Sequence, residues 1–395
     1  MTGTELPDLA LRTLGGSVVA ASDEFFADKE NLILPSAPAF SAQTWSAKGQ
    51  VYDGWETRRR RTPGHDWALV RLGLPGVPRT IVVDTAHFTG NYPPRCSVEA
   101  TAVDGYPSPE ELAGTADWVP LVPPSTLRGG ARHEFPVSAG QRFTHVRLCI
   151  YPDGGVARLR VHGEPLPDPR DLPDRSEPAG LPLDLAALRS GGRAVACSDR
   201  FFSSPDNMLQ PGESRFMGDG WETARRRDEG NDWAIIALAG QALPAVVELA
   251  TTHYKGNSPD RAALSGIDAR TAALDDPAAW FPLLEPTRLQ PDTTHRFRLL
   301  SGPGGRRAVT HVRLDIHPDG GMGRLRLYGE LTPDGRRCLT LRWFNSLPPA
   351  HAAAVLAAAG VPLAHAGDLA AARPLTALPP RLDPWPAPPP PVDRS

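Results

Sequence analysis

Cysteine is scarce in this chain, and what there is does not cluster. Cys96, Cys149, Cys197 and Cys338 fall in no C-x-x-C pair and build no dense framework. That excludes a cysteine-based zinc site and a disulfide scaffold, and predicts reduced thiols. Neither charge sign is in excess: 42 Lys and Arg face 45 Asp and Glu, a formal charge of −3, so no overall field draws the protein to nucleic acid or to an anionic membrane. No apolar run approaches the ~18 residues of a membrane span. The opening MTGTELPDLALRTLGG has no basic stretch leading into an apolar one, as a secretory signal would. The expectation is a cytoplasmic protein with neither nucleic acid nor membrane as partner. H-E-x-x-H, G-x-S-x-G, a P-loop and a G-x-G-x-x-G between strand and helix are all missing, which turns the reading away from zincins, serine hydrolases and nucleotide enzymes.

What the chain does contain is itself, twice. DGWETRRRRTPGHDW, from residue 53, returns as DGWETARRRDEGNDW 166 residues later. HFTGNYPPR (from 87) returns as HYKGNSPDR, and THVRLCIYPDGGVARLRVHGE (from 144) as THVRLDIHPDGGMGRLRLYGE, at the same spacing. SDEFF (from 22) returns as SDRFF after 176 residues, because the second copy is shorter ahead of its DGWET. Three blocks in one order at one offset mark two homologous domains of one fold. The expected domains are 1–168 and 169–331, joined by a proline-rich, charged linker over 165–184, with a tail from 332 to 395. In the tail, SLPPAHAAAVLAAAG predicts a short helix capped by Ser346 and stopped by Gly360. A second helix is expected after Asp368, then a proline-rich extended end.

Each copy reads as β-rich. The 44 prolines and 37 glycines suit many short strands joined by turns. In THVRLCI, Val146, Leu148 and Ile150 alternate with His145, Arg147 and Cys149, the period of a half-buried strand. YPDGG supplies a turn, and VARLRVHG then alternates Leu159 and Val161 with Arg158, Arg160 and His162, which predicts a hairpin. DWALVRL (66–72) and TIVVDTAHF (80–88) predict two further strands. Without long amphipathic helices between strands, the expected class is all-β: two tandem antiparallel jelly-roll β-sandwiches. Trp55, Trp67, Trp221 and Trp233 are assigned to the cores, and Gly54 and Gly220 to special backbone angles.

The arginine run sits between Glu56 and Asp66 in a near-neutral chain and lacks interleaved aromatics, so it does not read as a nucleic-acid patch. Along an extended segment, Arg58 and Arg60 share one face and Arg59 and Arg61 the other. One face is then free to pair internally while the other meets a ligand, and a guanidinium fork suits a carboxylate. DTAHFTGNYPPR runs from a strand into a Gly–Asn turn and offers His87 for proton transfer and Asn91 beside it. Between the copies Asp84 becomes Ala250, His65 becomes Asn231, Arg58 becomes Ala224, Glu99 becomes Ser265 and Thr89 becomes Lys255. Glu56/Glu222, His87/His253, Asn91/Asn257 and Arg95/Arg261 persist in both. The first copy thus holds more ionisable groups, the second an extra cation, and one dominant or composite site is expected. Histidines near carboxylates are compatible with a divalent metal, but no ligand spacing demands one, so no metal and no cofactor are expected.

In this combination the blocks resemble the allantoicase (allantoate amidinohydrolase) family over about residues 15–331. The resemblance implies two galactose-binding-like jelly rolls in a homo-oligomer that hydrolyses allantoate to ureidoglycolate and urea in purine catabolism. Two departures stand out against the family pattern: Ala250 replaces the Asp before the second H-Y-K-G-N, and Thr89 stands where the first copy would carry Lys. The resemblance implies Arg59 or Arg95 (or Arg225 and Lys255, with Arg261) as the carboxylate grip and Asn91 (Asn257) orienting a ureido group. It implies His87 with Glu56 or Asp84 (His253 with Glu222) moving protons. The tail RWFNSLPPAHAAAVLAAAGVPLAHAGDLAAARP is similar to the opening helices of the ureidoimidazoline decarboxylase family and stops short of a catalytic region, so it reads as a docking or packing appendage. A non-catalytic jelly-roll module for a glycan or other small ligand, and a hydrolase of a related ureide, remain alternatives.

Overall fold

The computed structural model describes residues 3–114, 117–173, 182–302 and 305–383. The chain divides into two compact units. One comprises Met1–Leu166 with Phe344–Pro374, the other Pro167–Trp343 with the chain from Leu375 onward.

In the first unit one strand of 19 residues, Asp66–Asp84, organises the rest. Its first half pairs with Ser17–Ala21 on one side and Phe143–Tyr151 on the other. Its second half pairs with Arg158–Pro165 and Arg132–Pro136. From Phe143–Tyr151 the first ladder continues through Arg95–Thr101 to Val119–Thr126. Every pairing is antiparallel, and the long strand serves both layers of the sandwich. The side chains that fill it are those the alternation marks: Val70, Ile81, Val83, Val146, Leu148, Ile150, Leu159 and Val161 are all fully buried. At about 25 cal/mol per Å² of apolar surface, such side chains contribute roughly 1.5–3 kcal/mol each.

The second unit repeats this plan around Asp232–Ala250. Arg193–Cys197 and Val309–His317 pair with its first half, Arg324–Leu331 and Thr294–Arg298 with its second. Arg261–Ile267 and Phe281–Arg288 extend the first ladder.

The all-β jelly-roll expectation holds, while several details change. The strands expected at 66–72 and 80–88 are one strand that ends at Asp84; the register shift between Arg71 and Gly76 absorbs the intervening Gly and Pro as the strand passes from one ladder to the other. THVRLCI and VARLRVHG form no hairpin with each other, since each pairs with a different half of the long strand. Period-two patterning specifies a face and leaves the partner open. His145, Cys149 and Arg158, expected on an outward face, are buried. Trp55 and Trp221 lie in the cores, but Trp67 and Trp233 are only half-buried. Gly54 and Gly220 answer to close approach rather than to backbone angle: Gly220 has φ −113°, and a Cβ on Gly54 would stand 2.7 Å from the Ala157 Cα.

Beyond the second sandwich a helix, Pro333–Ser346, follows directly on the last strand, where no helix was expected. Ser346 therefore ends that helix, and the next, Pro349–Ala358, starts from Pro348 without a side-chain cap. Gly360, at φ 84°, makes the expected stop. Asp368 falls inside the third helix, Leu363–Ala371, instead of preceding it. In the linker, Pro169–Asp171 forms a 3-10 turn and Leu183–Asp184 a short strand. The stretch 174–181 and the proline-rich end from 384 lie outside the described residues. All four cysteines are free, and no described helix is long and apolar enough to cross a membrane.

Candidate functional site

The three repeated blocks, far apart in the chain, are drawn together by the P-D-G-G turn. In the second repeat the Gly320 carbonyl accepts the Thr223 backbone N–H (3.2 Å), and the Gly321 N–H donates to the Asn257 carbonyl (2.9 Å). Asp319 Oδ2 accepts the Arg226 backbone N–H at 2.8 Å. Trp221–Glu222 forms a two-residue ladder with Gly321–Met322, and the Trp221 indole donates to the Asp199 carbonyl at 3.1 Å. The first repeat has the same clasp: Thr57 to Gly154 (3.1 Å), Gly155 to Asn91 (2.7 Å), and Arg60 N–H to Asp153 Oδ2 (2.8 Å). Behind it lies an ion pair, Arg158 with the half-buried Asp53 at 2.8 Å in one repeat and Arg324 with the buried Asp219 at 3.1 Å in the other. The Arg of R-L-R and the Asp of D-G-W-E-T thereby hold the clasp against the sandwich.

The clasp brings one carboxylate to one carboxamide. Asn91 Nδ2 donates to Glu56 Oε1 at 2.8 Å, and Asn257 Nδ2 to Glu222 Oε1 at 2.6 Å. Burial pushes the Glu56 carboxyl above its ordinary pKa, and the Asn91 hydrogen bond offsets part of that rise.

The arginines alternate along the chain. Arg58 pairs with Asp23 at 2.6 Å and Arg60 with Asp66 at 2.7 Å. Arg226 pairs with Asp232 at 2.8 Å and with Asp228 at 2.9 Å. Arg59 and Arg61, and their counterparts Arg225 and Arg227, are exposed.

In the second repeat these groups line a cavity of ≈ 850 Å³ that includes Glu222, Asn257, Arg225, Arg227 and Lys255 in its wall. Lys255 Nζ stands 3.6 Å from Asp292. Of the cavity's other carboxylates, Asp260 lies 3.2 Å from Arg261 and 3.4 Å from Arg288, and Asp319 is engaged by the Arg226 amide. Among the described residues, the Arg225 and Arg227 guanidiniums face the space without an ion-pair partner, and a single Glu–Asn pair lies in the wall with them. Such a wall suits a small anion bearing amide groups.

The remaining candidates sit elsewhere. His87 has φ 70° and His253 φ 73°; both occupy the left-handed region just beyond the end of the long strand. His87 Nε2 lies 3.2 Å from the Pro38 carbonyl oxygen, and its ring stacks on Phe40. His253 Nε2 lies 2.7 Å from the Ser214 carbonyl oxygen, and its backbone N–H donates to Asp292. Asp84 Oδ1 accepts the Ala86 N–H at 2.8 Å. Arg95 is exposed with its guanidinium 6.0 Å from the Tyr151 ring, and Arg261 keeps to Asp260. Neither His253 nor Arg261 is among the residues lining the cavity.

Arg227, Asp319 and Phe202, which line the cavity, were not singled out from the sequence. For Arg227 the signal was present: it shares the parity of Arg225. Among the described residues no three His, Cys, Asp or Glu side chains gather as a metal site.

Comparison with known proteins bears on what this wall belongs to. A family model described as the allantoicase repeat matches residues 7–166 and 183–332. The chain belongs to the allantoicase family. A probable allantoicase of Nocardia farcinica is 55% identical over 330 residues, covering 83% of this chain and 95% of the relative. One from Streptomyces avermitilis is 49% identical over 352 residues, covering 86% and 89%. The crystal structure of allantoicase from Saccharomyces cerevisiae matches with a TM-score of 0.67 at 34% identity, covering 82% of this chain and 93% of that one. The two allantoicase repeats coincide with the two sandwiches, and the three tail helices lie beyond the second match.

Proposed function

We propose that this chain is an allantoicase that hydrolyses allantoate to ureidoglycolate and urea, and that the reaction takes place in the second-repeat cavity. The observation that carries the reading is the Asn257–Glu222 pair at 2.6 Å in one wall with Arg225 and Lys255. Allantoate carries a carboxylate and two ureido groups on one carbon. Arg225 and Lys255 receive the carboxylate through charge-assisted hydrogen bonds. Asn257 spends one N–H on Glu222 and keeps its carbonyl oxygen for a ureido N–H.

The reaction breaks one C–N bond and forms one C–O bond. The departing urea nitrogen gains a proton and the entering water loses one. Glu222, held by Asn257, gives the first proton and takes back the second, so the enzyme ends as it began. The proposal retains the expectations of a cytoplasmic homo-oligomer and of a reaction that needs no cofactor.

The test is urea release from allantoate by the purified chain, with and without a chelator. Urea at enzymatic rates, unaffected by the chelator, supports the reading in full. No urea from a folded, allantoate-binding chain overturns it, and loss with the chelator overturns the cofactor-free part alone.

A further inference from the structure

We infer that Asp292 is a positioning residue for the second-repeat cavity: it holds the Lys255 ammonium in the wall, ready for the carboxylate of the substrate. The inference rests on reading that cavity as the place where allantoate is bound.

Lys255 lines the cavity and Asp292 does not, although its neighbour Pro291 does. From behind the wall Asp292 divides its carboxylate between two partners. Oδ1 accepts the His253 backbone N–H at 2.8 Å, and Oδ2 lies 3.6 Å from Lys255 Nζ. The first bond ties the carboxylate to the backbone just ahead of Lys255, so the second acts on the lysine from an anchored base. The His253 N–H and the Lys255 charge also hold this carboxyl below the ordinary carboxylate range, which keeps it ionised at neutral pH.

The backbone at this point favours glycine. Asp292 has φ 51°, and among the described residues only His87 and His253 share a positive φ without being glycine. In the first repeat the position is glycine. Thr85 Oγ1 lies against the Arg128 and Ala131 carbonyl oxygens as Thr251 Oγ1 does against those of Gln290 and Thr293, which aligns Gly130, at φ 64°, with Asp292. That repeat also has Thr89 where the second has Lys255. The lysine and the aspartate thus occur together in one repeat and are both missing from the other. A side chain in a left-handed turn costs more than a glycine there, and an exposed ion pair adds little stability, so folding alone gives no reason for the exchange. Ordering a cation does. Lysine is a point charge on a flexible four-carbon stem, and a carboxylate that limits its excursions lowers the entropy lost when a ligand binds. The ammonium has three donors, so the substrate finds donors beyond the one turned to Asp292.

Asp292→Asn is the decisive variant, because asparagine accepts a left-handed φ and keeps an acceptor for the His253 N–H while losing the charge. Its KM for allantoate is expected to rise about threefold or more, with kcat and melting temperature near the wild-type values. Asp292→Gly, which takes the residue of the first repeat, should raise KM likewise. In a Lys255→Met chain, Asp292→Asn should produce no rise, since no ammonium is left to place. A wild-type KM in the folded Asp292→Asn chain, or an equal rise with and without Lys255, overturns the inference. If Lys255→Met raises KM and Asp292→Asn does not, the inference alone falls. If Lys255→Met itself leaves KM unchanged, the reading of the cavity falls and takes the inference with it. Calorimetric titration of allantoate scores the same comparisons as Kd, so a chain that binds without releasing urea ends the catalytic reading and still decides the role of Asp292; no saturable binding overturns both.

Discussion

Asn257 donates to Glu222 across 2.6 Å, and the bond leaves the amide one carbonyl oxygen and the carboxylate one oxygen for a ligand. Glu222→Gln keeps an acceptor oxygen for Asn257 and removes the carboxyl group that gives and takes the proton. Urea release by this variant is expected to fall about 10²-fold or more in kcat, with little change in the melting temperature. A folded variant that releases urea at the wild-type rate takes Glu222 out of the proton path.

Arg225 and Lys255 are assigned to the carboxylate, an interaction present before and during the reaction. Replacing either with Ala is expected to raise KM for allantoate by about tenfold or more, with kcat changed less. Steady-state kinetics over a salt series checks this, since the wild-type KM should also rise as salt screens an exposed site. A fall in kcat at unchanged KM contradicts the assignment.

His253 holds the Ser214 carbonyl from a left-handed backbone position. Asn tolerates that conformation better than most residues. His253→Asn is therefore expected to lower stability by about 1 kcal/mol while leaving turnover near the wild-type value. Thermal unfolding and urea release measure the two effects, and a folded variant with turnover reduced about 10²-fold would return proton transfer to the histidine.

His145 and His311 are equivalent residues in the two repeats, each bonded at Nδ1 to the hydroxyl of the preceding Thr. Burial, reinforced by Arg71 and Arg193 respectively, lowers both from the ordinary 6.5 to about 4. The unfolded chain takes up these protons first as acid is added. Stability is thus full above about 6.5 and is lost as pH falls toward 4. Denaturant unfolding across that range should show the decline, and a His145→Gln/His311→Gln chain should show a shallower one; an unchanged slope rules the pair out as its source.

Arg324 is buried against Asp219, with the Gly212, Glu213 and Asp219 carbonyls also accepting from it. Arg324→Ala leaves the buried Asp219 carboxylate with only the exposed Arg215, at 3.0 Å, as its partner and is expected to cost about 1–3 kcal/mol. Arg225→Ala, removing an exposed guanidinium, is expected to leave stability unchanged. Denaturant midpoints of the two variants compare them directly.

Part of this arrangement is legible in the residues. Parity along the arginine run separates Arg58 and Arg60, which pair internally, from Arg59 and Arg61, which do not, although only Trp55–Glu56 of that stretch is strand. The same rule extends to Arg227, which period-two reasoning reaches without a structure. The place of His87 is not legible in this way. TIVVDTAHF reads as a strand through Phe88, whereas the strand ends at Asp84, and His87 turns to φ 70° with its ring against the distant Pro38 carbonyl. Nor does local sequence announce that Gly54 is needed because Ala157 passes so close.

The duplication, the β class, the apolar faces and the free cysteines follow from the chain alone, because offsets and period-two alternation are local properties that any window of sequence displays. Which strands pair, and that P-D-G-G joins D-G-W-E-T to H-x-x-G-N so that Glu meets Asn, was decided by the tertiary fold. Strand partnership depends on register and on backbone hydrogen bonds closed across about a hundred residues, as between Thr57 and Gly154, and no local pattern carries that information.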